Sequence, residues 1–207
     1  MKQFRRMAIM LCLGALTTTS CDFVKNLSME PATELVGSKE GELKEKIQSI
    51  FEYFDTNAEK AEIAEISTSF SEKSKNADVT VKMITPDDKN KMAEYRWENT
   101  EAHKGFAQDE LIVSTSIGND IVDNYEGLKD MLFKYADVTT YIENLPTYCT
   151  EALEAAGYKD DGYVSIFKIS RNGSDEIEAY ITVEHKKMGM VSKSFDISQD
   201  GKHIVKK

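Results

Sequence analysis

The chain reads as an α+β protein whose helices pack on antiparallel β-meanders, with an element order that sets out two tandem helix-plus-meander units. Three observations lead there. Apolar residues recur first at helical spacing and then at every second residue over three stretches. This cycle occurs twice, and turn-forming residues separate the alternating stretches. A chain of 207 residues with 41% hydrophobic content can fill one sizeable core or two small ones.

The first cycle opens with Leu43, Ile47, Ile50, Phe51 and Phe54, a single stripe of an amphipathic helix, and Ser38 is placed ahead of it as an N-cap. The period then changes to two. Ala64, Ile66, Thr68 and Phe70 alternate with polar residues, as do Val79, Val81 and Met83, and then Ala93, Tyr95 and Trp97. Lys73-Ser-Lys-Asn76 and Pro86-Asp-Asp-Lys-Asn90 separate these three strands as turns.

Between the cycles, Leu111-Ile-Val-Ser-Thr115 predicts a strand, and Tyr125, Leu128, Leu132 and Tyr135 predict a helix. The second cycle begins with Ile142, Leu145, Cys149, Leu153 and Ala156, a helix closed by Gly157. Pro146 lies inside that stripe, so the helix is either kinked there or begins afresh with Asn144 as its cap. Strands follow at Tyr163–Ile169, Ile177–Val183 and Val191–Ile197, with hairpin signals at Asn172-Gly173 and Met188-Gly189 and a short last strand from Asp200-Gly201 through Val205. The first helix lies about 95 residues before the second and the strands keep nearly that offset, which fits either an internal duplication or a chance recurrence of element order. A helix followed by an antiparallel meander resembles the arrangement of cystatin-like and β-lactamase-inhibitor-like folds, without a residue motif of either family.

The first twenty residues have a different character. Lys2, Arg5 and Arg6 precede the apolar run Met7–Leu16, and Thr17-Thr-Thr-Ser20 brings small residues up to Cys21. This layout resembles a bacterial lipoprotein precursor, with the lipobox-like quartet Thr18-Thr19-Ser20-Cys21 carrying threonine where an aliphatic residue is usual. The resemblance implies cleavage before Cys21, lipidation (palmitate included) of that cysteine, and a membrane anchor. An ordinary signal cleavage and a retained spanning anchor are the alternatives, although the apolar run is half of the roughly 20 residues that a spanning helix needs. Asp22 by the same resemblance implies inner-membrane retention, so the expected location is the cell envelope, periplasm-facing rather than surface-exposed.

The domains expected are therefore a signal peptide at 1–20, the lipidated cysteine and a flexible tether at 21–38, a first helix-plus-sheet unit at 39–118, and helices with a second sheet at 119–207; the last two can also form one domain. The segment 22–38 mixes polar, Pro and Gly residues without a sustained period, which is the pattern of a linker.

Net charge is −10, and removal of residues 1–20 takes away Lys2, Arg5 and Arg6 and no acid, leaving −13. With no basic run present, this argues against nucleic-acid phosphates and anionic headgroups as partners. Of the cysteines, only Cys149 remains for the folded part; the i, i+4, i+8 spacing of Leu145, Cys149 and Leu153 reads as a buried structural thiol rather than a nucleophile.

Local signatures of chemistry are missing. There is no Gly-x-Ser-x-Gly elbow, His-Glu-x-x-His, phosphate-binding glycine loop or paired-cysteine motif, and no cofactor or metal is expected. Asp55-Thr-Asn-Ala-Glu59 imitates the first half of a calcium loop but lacks its glycine and distal glutamate. Tyr95 and Trp97 share a strand face and are candidate contacts for a partner if exposed, or core residues if covered. Two functions of different class follow. One is a non-enzymatic binding or accessory protein that meets a protein or glycan of the envelope; the other is an envelope hydrolase whose site is assembled from distant residues such as His103, Glu101 and Asp109.

Overall fold

The structure, a computed structural model, describes residues 30–111, 115–117, 120–122, 125–171, 176–187 and 191–205. Its centre is one eight-stranded antiparallel sheet. Strands β1 (Ile63–Ser71), β2 (Asn76–Ile84), β3 (Met92–Asn99) and β4 (Lys104–Leu111) form one meander. After the short pair β5 (Thr115–Ile117) and β6 (Asp120–Val122), strands β7 (Gly162–Arg171), β8 (Ile177–His185), β9 (Ser192–Ile197) and β10 (Ile204–Val205) form another. The order across the sheet is β10-β9-β8-β7-β1-β2-β3-β4.

That order overturns the expected pair of helix-plus-meander units. The protein is mostly β, with a few short helices on a single sheet. The two meanders are joined by β1 and β7, which pair from Glu65 with Ser170 to Ser69 with Ile166. Each of these strands is apolar on one face and would be an unpaired edge if its meander stood alone. Pairing them makes both central strands, and Ile66, Phe167 and Ile169 end fully buried in one common core. Alternation identifies a strand's face; it does not say which strand lies beside it.

Helices α1 (Glu42–Tyr53), α2 (Tyr125–Leu128), α3 (Thr139–Glu143) and α4 (Leu145–Ala156) are short. α1 lies against β2 and β3, and α4 lies against β7, β8, β9 and β10, both on the same face of the sheet. α1 is entered through Gly41 at φ 77°, so Ser38 is not its cap. Instead the Glu42 carboxylate accepts the Gly37 N–H at 2.8 Å. α4 begins afresh after Asn144 with Pro146 in its first turn, where a missing N–H costs nothing, and ends at Gly157 with φ 75°.

Residues 30–38 are part of this fold, contrary to their reading as tether. Leu35 and Val36 are buried in the core, the Val36 carbonyl accepts from the buried Thr68 hydroxyl at 3.2 Å, and Ala32 N–H bonds to the Lys75 carbonyl at 3.2 Å. Their apolar pair is too short to show a period. The stretch expected as one helix over Tyr125–Tyr135 is α2 followed by two 3₁₀ turns, Lys129–Met131 and Tyr135–Val138. Leu128 and Leu132 cover Ile84 and Met92 in a small second cluster with Ala64 and Leu111. Ala64 joins that cluster, rather than the main core, because β1 is irregular between Ile63 and Glu65. Leu111 closes β4 rather than opening a strand through Thr115, and residues 112–114 lie outside the described residues. Outside them also lie the signal segment, Cys21, and the turn pairs Asn172-Gly173 and Met188-Gly189.

Candidate functional site

The helices cover one face of the sheet; the other presents a field of charged and small hydroxyl side chains. Its rows follow from the register. Glu65 on β1 stands opposite Lys82 on β2, which stands opposite Glu94 on β3, which stands opposite Asp109 on β4. In the next row Ser67 has Lys168 of β7 on one side and Thr80 of β2 on the other, followed by Arg96 of β3.

Opposite charges on adjacent strands close an ion-pair ladder across this face. Lys82 Nζ lies 2.9 Å from Glu65 and 3.5 Å from Glu94, and Lys168 pairs with the other oxygen of Glu65. Arg96 reaches Glu94 at 2.7 Å, Glu98 at 2.8 Å and Asp109 at 2.6 Å. Glu98 also takes the His103 ring at 3.0 Å. Such cross-strand pairs contribute on the order of 0.2–1 kcal/mol each. Burial pushes the Glu65 carboxyl up, but the two lysines outweigh it and leave it below the usual range. Asp78, held by the Ser69 hydroxyl, goes the other way because its burial is not matched by a cation of its own. This face can bind through charge and hydroxyl groups.

The fold separates the residues singled out from the sequence. Tyr95 and Trp97 are 3% and 6% exposed, so they are core residues and offer no contact surface. Lys46 of α1 lies over the Trp97 ring at 4.0 Å, and burial lowers its ammonium pKa. Of the hydrolase candidates, His103 pairs with Glu98, Asp109 with Arg96, and Glu101 is exposed in the β3–β4 turn. Cys149 is buried beside Ser38, and burial pushes its thiol up to about 12. Asp55, Thr56 and Asn57 line a cavity of about 290 Å³ with Lys60, Glu62 and Lys89, a mixed-charge set unlike a cation loop. Among the described residues no group of three or more His, Cys, Asp or Glu is placed to hold a metal ion.

A second feature was missed in the sequence. The described chain enters at the end of the sheet formed by the β1–β2 and β3–β4 turns, where Asn99 Nδ2 donates to the Glu30 carbonyl at 2.9 Å. Beside this entry lies a cavity of about 390 Å³ whose wall includes Pro31, Lys73, Lys75 and Lys104. Its lysines come from the β1–β2 turn and from the first residue of β4, about thirty residues apart in the chain, so no local run announces them. The alternating polar positions of β1, β2 and β3 did signal the charged face, as the complement of the core positions.

No family model matches the chain, and no curated protein matches it. Among solved structures it is similar to a crystal structure described as a "putative lipoprotein" from Clostridium difficile 630, at 12% identity and a TM-score of 0.44, covering 79% of this chain and 89% of that chain. Among the described residues no helix is long and apolar enough to cross a membrane.

Proposed function

We propose that the chain is a lipid-anchored lipoprotein of the cell envelope, with a non-enzymatic binding or accessory role toward a protein or glycan of that envelope. The observation that carries this reading is Cys21, standing directly after a charged, apolar and small-residue segment of signal type. Acylation by two or more chains holds a protein stably at a bilayer, whereas one chain is marginal. Because the core begins at Leu35 and the chain is already held at Glu30, residues 22–29 are what remains for a tether, at most about 30 Å when extended. The described chain starts beside the β1–β2 and β3–β4 turns, so an anchor at Cys21 would join the fold at that end of the sheet. A periplasm-facing position rests on Asp22.

The test is fractionation and copurification from the native membrane. The protein is expected in the membrane fraction, and Cys21→Ser in the soluble one. Sedimentation of that variant with membranes after a salt wash would reject the anchor. A partner that copurifies with the parent protein is expected to be lost with Ser67→Arg, which sets a bulky cation in the middle of the open face. Retention of the partner by a folded Ser67→Arg protein would place the contact elsewhere.

A further inference from the structure

We propose that the cavity beside the chain entry binds the headgroup phosphate of an anionic lipid in the bilayer that carries the anchor. This rests on the lipid-anchored reading above. Three lysines, Lys73, Lys75 and Lys104, line the cavity against one carboxylate, Glu101, in a chain of net charge −10. Lys75 shares its charge with Glu72 at 2.6 Å, and Lys73 has no carboxylate partner among the described residues. Ser74 and Thr100 add hydroxyls to the same wall. The volume of about 390 Å³ exceeds what a phosphate group requires and leaves room for the glycerol beyond it.

Position is the second argument. Pro31 itself lines the cavity, and the neighbouring Glu30 carbonyl is fixed by Asn99. The eight residues 22–29 reach at most about 30 Å, so an anchor at Cys21 keeps this cavity within a short distance of the headgroups at all times. A tether that short makes the local lipid concentration high, so weak contacts suffice. At the opposite end of the sheet the lysines stand among acids, with Lys89 near Asp87 and Asp88 in one turn and Lys202 paired with Asp200 at 3.6 Å, so their charge is offset. Overall charge argues against anionic headgroups as partners. The fold answers it locally, by bringing the lysines of the β1–β2 turn beside Lys104 at the start of β4, where the described chain enters.

The experiment uses the mature chain from Cys21 onward, coupled through the Cys21 thiol to a maleimide phospholipid in vesicles of phosphatidylcholine with or without phosphatidylglycerol. Amide exchange of the 72–76 and 100–104 turns is expected to slow roughly tenfold when phosphatidylglycerol is present, and the effect to vanish in 1 M salt and in Lys73→Glu/Lys104→Glu. The far turn at 86–90 is the control and is expected to stay unchanged. Equal exchange on the two vesicles, or equal slowing at both ends, overturns the proposal. Slowing of the same turns by inorganic phosphate alone, in the uncoupled Cys21→Ser chain, assigns the cavity to a soluble phosphate and overturns it too. Because the anchor is synthetic, this result is independent of whether Cys21 is acylated in the cell, which intact mass of the native protein reads separately.

Discussion

The hydroxyl of Tyr148, in the first turn of α4, donates to the carbonyl of Gly201 in the turn between β9 and β10. This bond joins α4 to the turn that leads into the last strand of the sheet. Tyr148 is fully buried, and burial drives its phenol well above the ordinary range, so it is a donor at neutral pH. Asn144 Nδ2 donates to the same carbonyl at 2.8 Å. Tyr148→Phe is therefore expected to cost about 1–2 kcal/mol, since the acceptor keeps one of its two donors. Tyr148→Phe combined with Asn144→Ala is expected to cost more than the two single changes summed, because the carbonyl is then buried and unpaired. Urea unfolding of the four proteins measures both quantities, and additive costs would show that the two donors do not share the carbonyl.

The docking of residues 30–38 on the core is testable at Gly37. Its φ of 105° disfavours any side chain, and an added Cβ would lie 2.5 Å from Leu145 Cδ2 and 3.0 Å from Leu43 Cβ. Gly37→Ala is expected to destabilise by about 2–4 kcal/mol through strain and overpacking together. Gly157 also has positive φ, at 75°, but a Cβ there meets nothing within 4 Å, so Gly157→Ala is expected to cost only about 1 kcal/mol. Chemical denaturation of the pair separates the two effects. Equal costs would mean that Gly37 is not held between α1 and α4.

What could be read before the fold was known follows from this contrast. Strand faces were legible: Val79, Val81, Met83, Tyr95 and Ala93 are all buried, as their alternation requires. The end of α4 at Gly157 was legible, whereas its start was left open between a kink at Pro146 and a fresh start after Asn144, and the structure has the fresh start. Sheet order was not, because the β1 to β7 pairing joins residues about a hundred positions apart and any apolar strand face satisfies the same alternation. Strand β4 escaped because Gln108, Asp109 and Glu110 make it an exposed, charged edge rather than an alternating strand. For the same reason the lysine cavity was invisible: its wall is assembled from turns, and turns carry no period. Tyr95 and Trp97 were legible as a shared face, and only burial decides that this face is the inner one.

The ladder on the open face gives a pH dependence of stated sign. Burial raises the Glu65 carboxyl and Lys168 and Lys82 lower it further than burial raises it, so its folded pKa lies below the unfolded value of about 4.3. A group depressed on folding stabilises above its unfolded pKa and loses that stabilisation as pH falls through the folded one. The parent protein is thus expected to be more stable than Glu65→Gln at neutral pH, with the difference shrinking below about pH 4. Asp78 contributes oppositely, since burial raises its pKa, and Asp78→Asn is expected to gain relative stability as pH rises above about 4. Thermal or urea midpoints across this range measure the two slopes. A Glu65→Gln difference that persists unchanged into acid would mean that packing, not ionisation, carries the contact.

Cys149 supplies a probe of the core itself. Its thiol is 6% exposed and pushed up to about 12 by burial, with the Ser38 hydroxyl as its neighbour. At pH 8 a thiol of that pKa is ionised to about one part in ten thousand, and a reagent must still reach it past Leu35 and Leu153. In a Cys21→Ser chain lacking residues 1–20, Cys149 is the one thiol left. Its labelling by an aromatic disulfide reagent is expected to be slow in the native state and to accelerate with denaturant in step with unfolding. Gly37→Ala, which loosens the segment lying over it, is expected to speed labelling about tenfold for each 1.4 kcal/mol of stability lost. Stoichiometric labelling of the native protein within the mixing time would show that the thiol is open to solvent. The groove lined by Cys149, Ser38 and Tyr163 would then be a reactive site rather than the seam where residues 30–38 close onto α4.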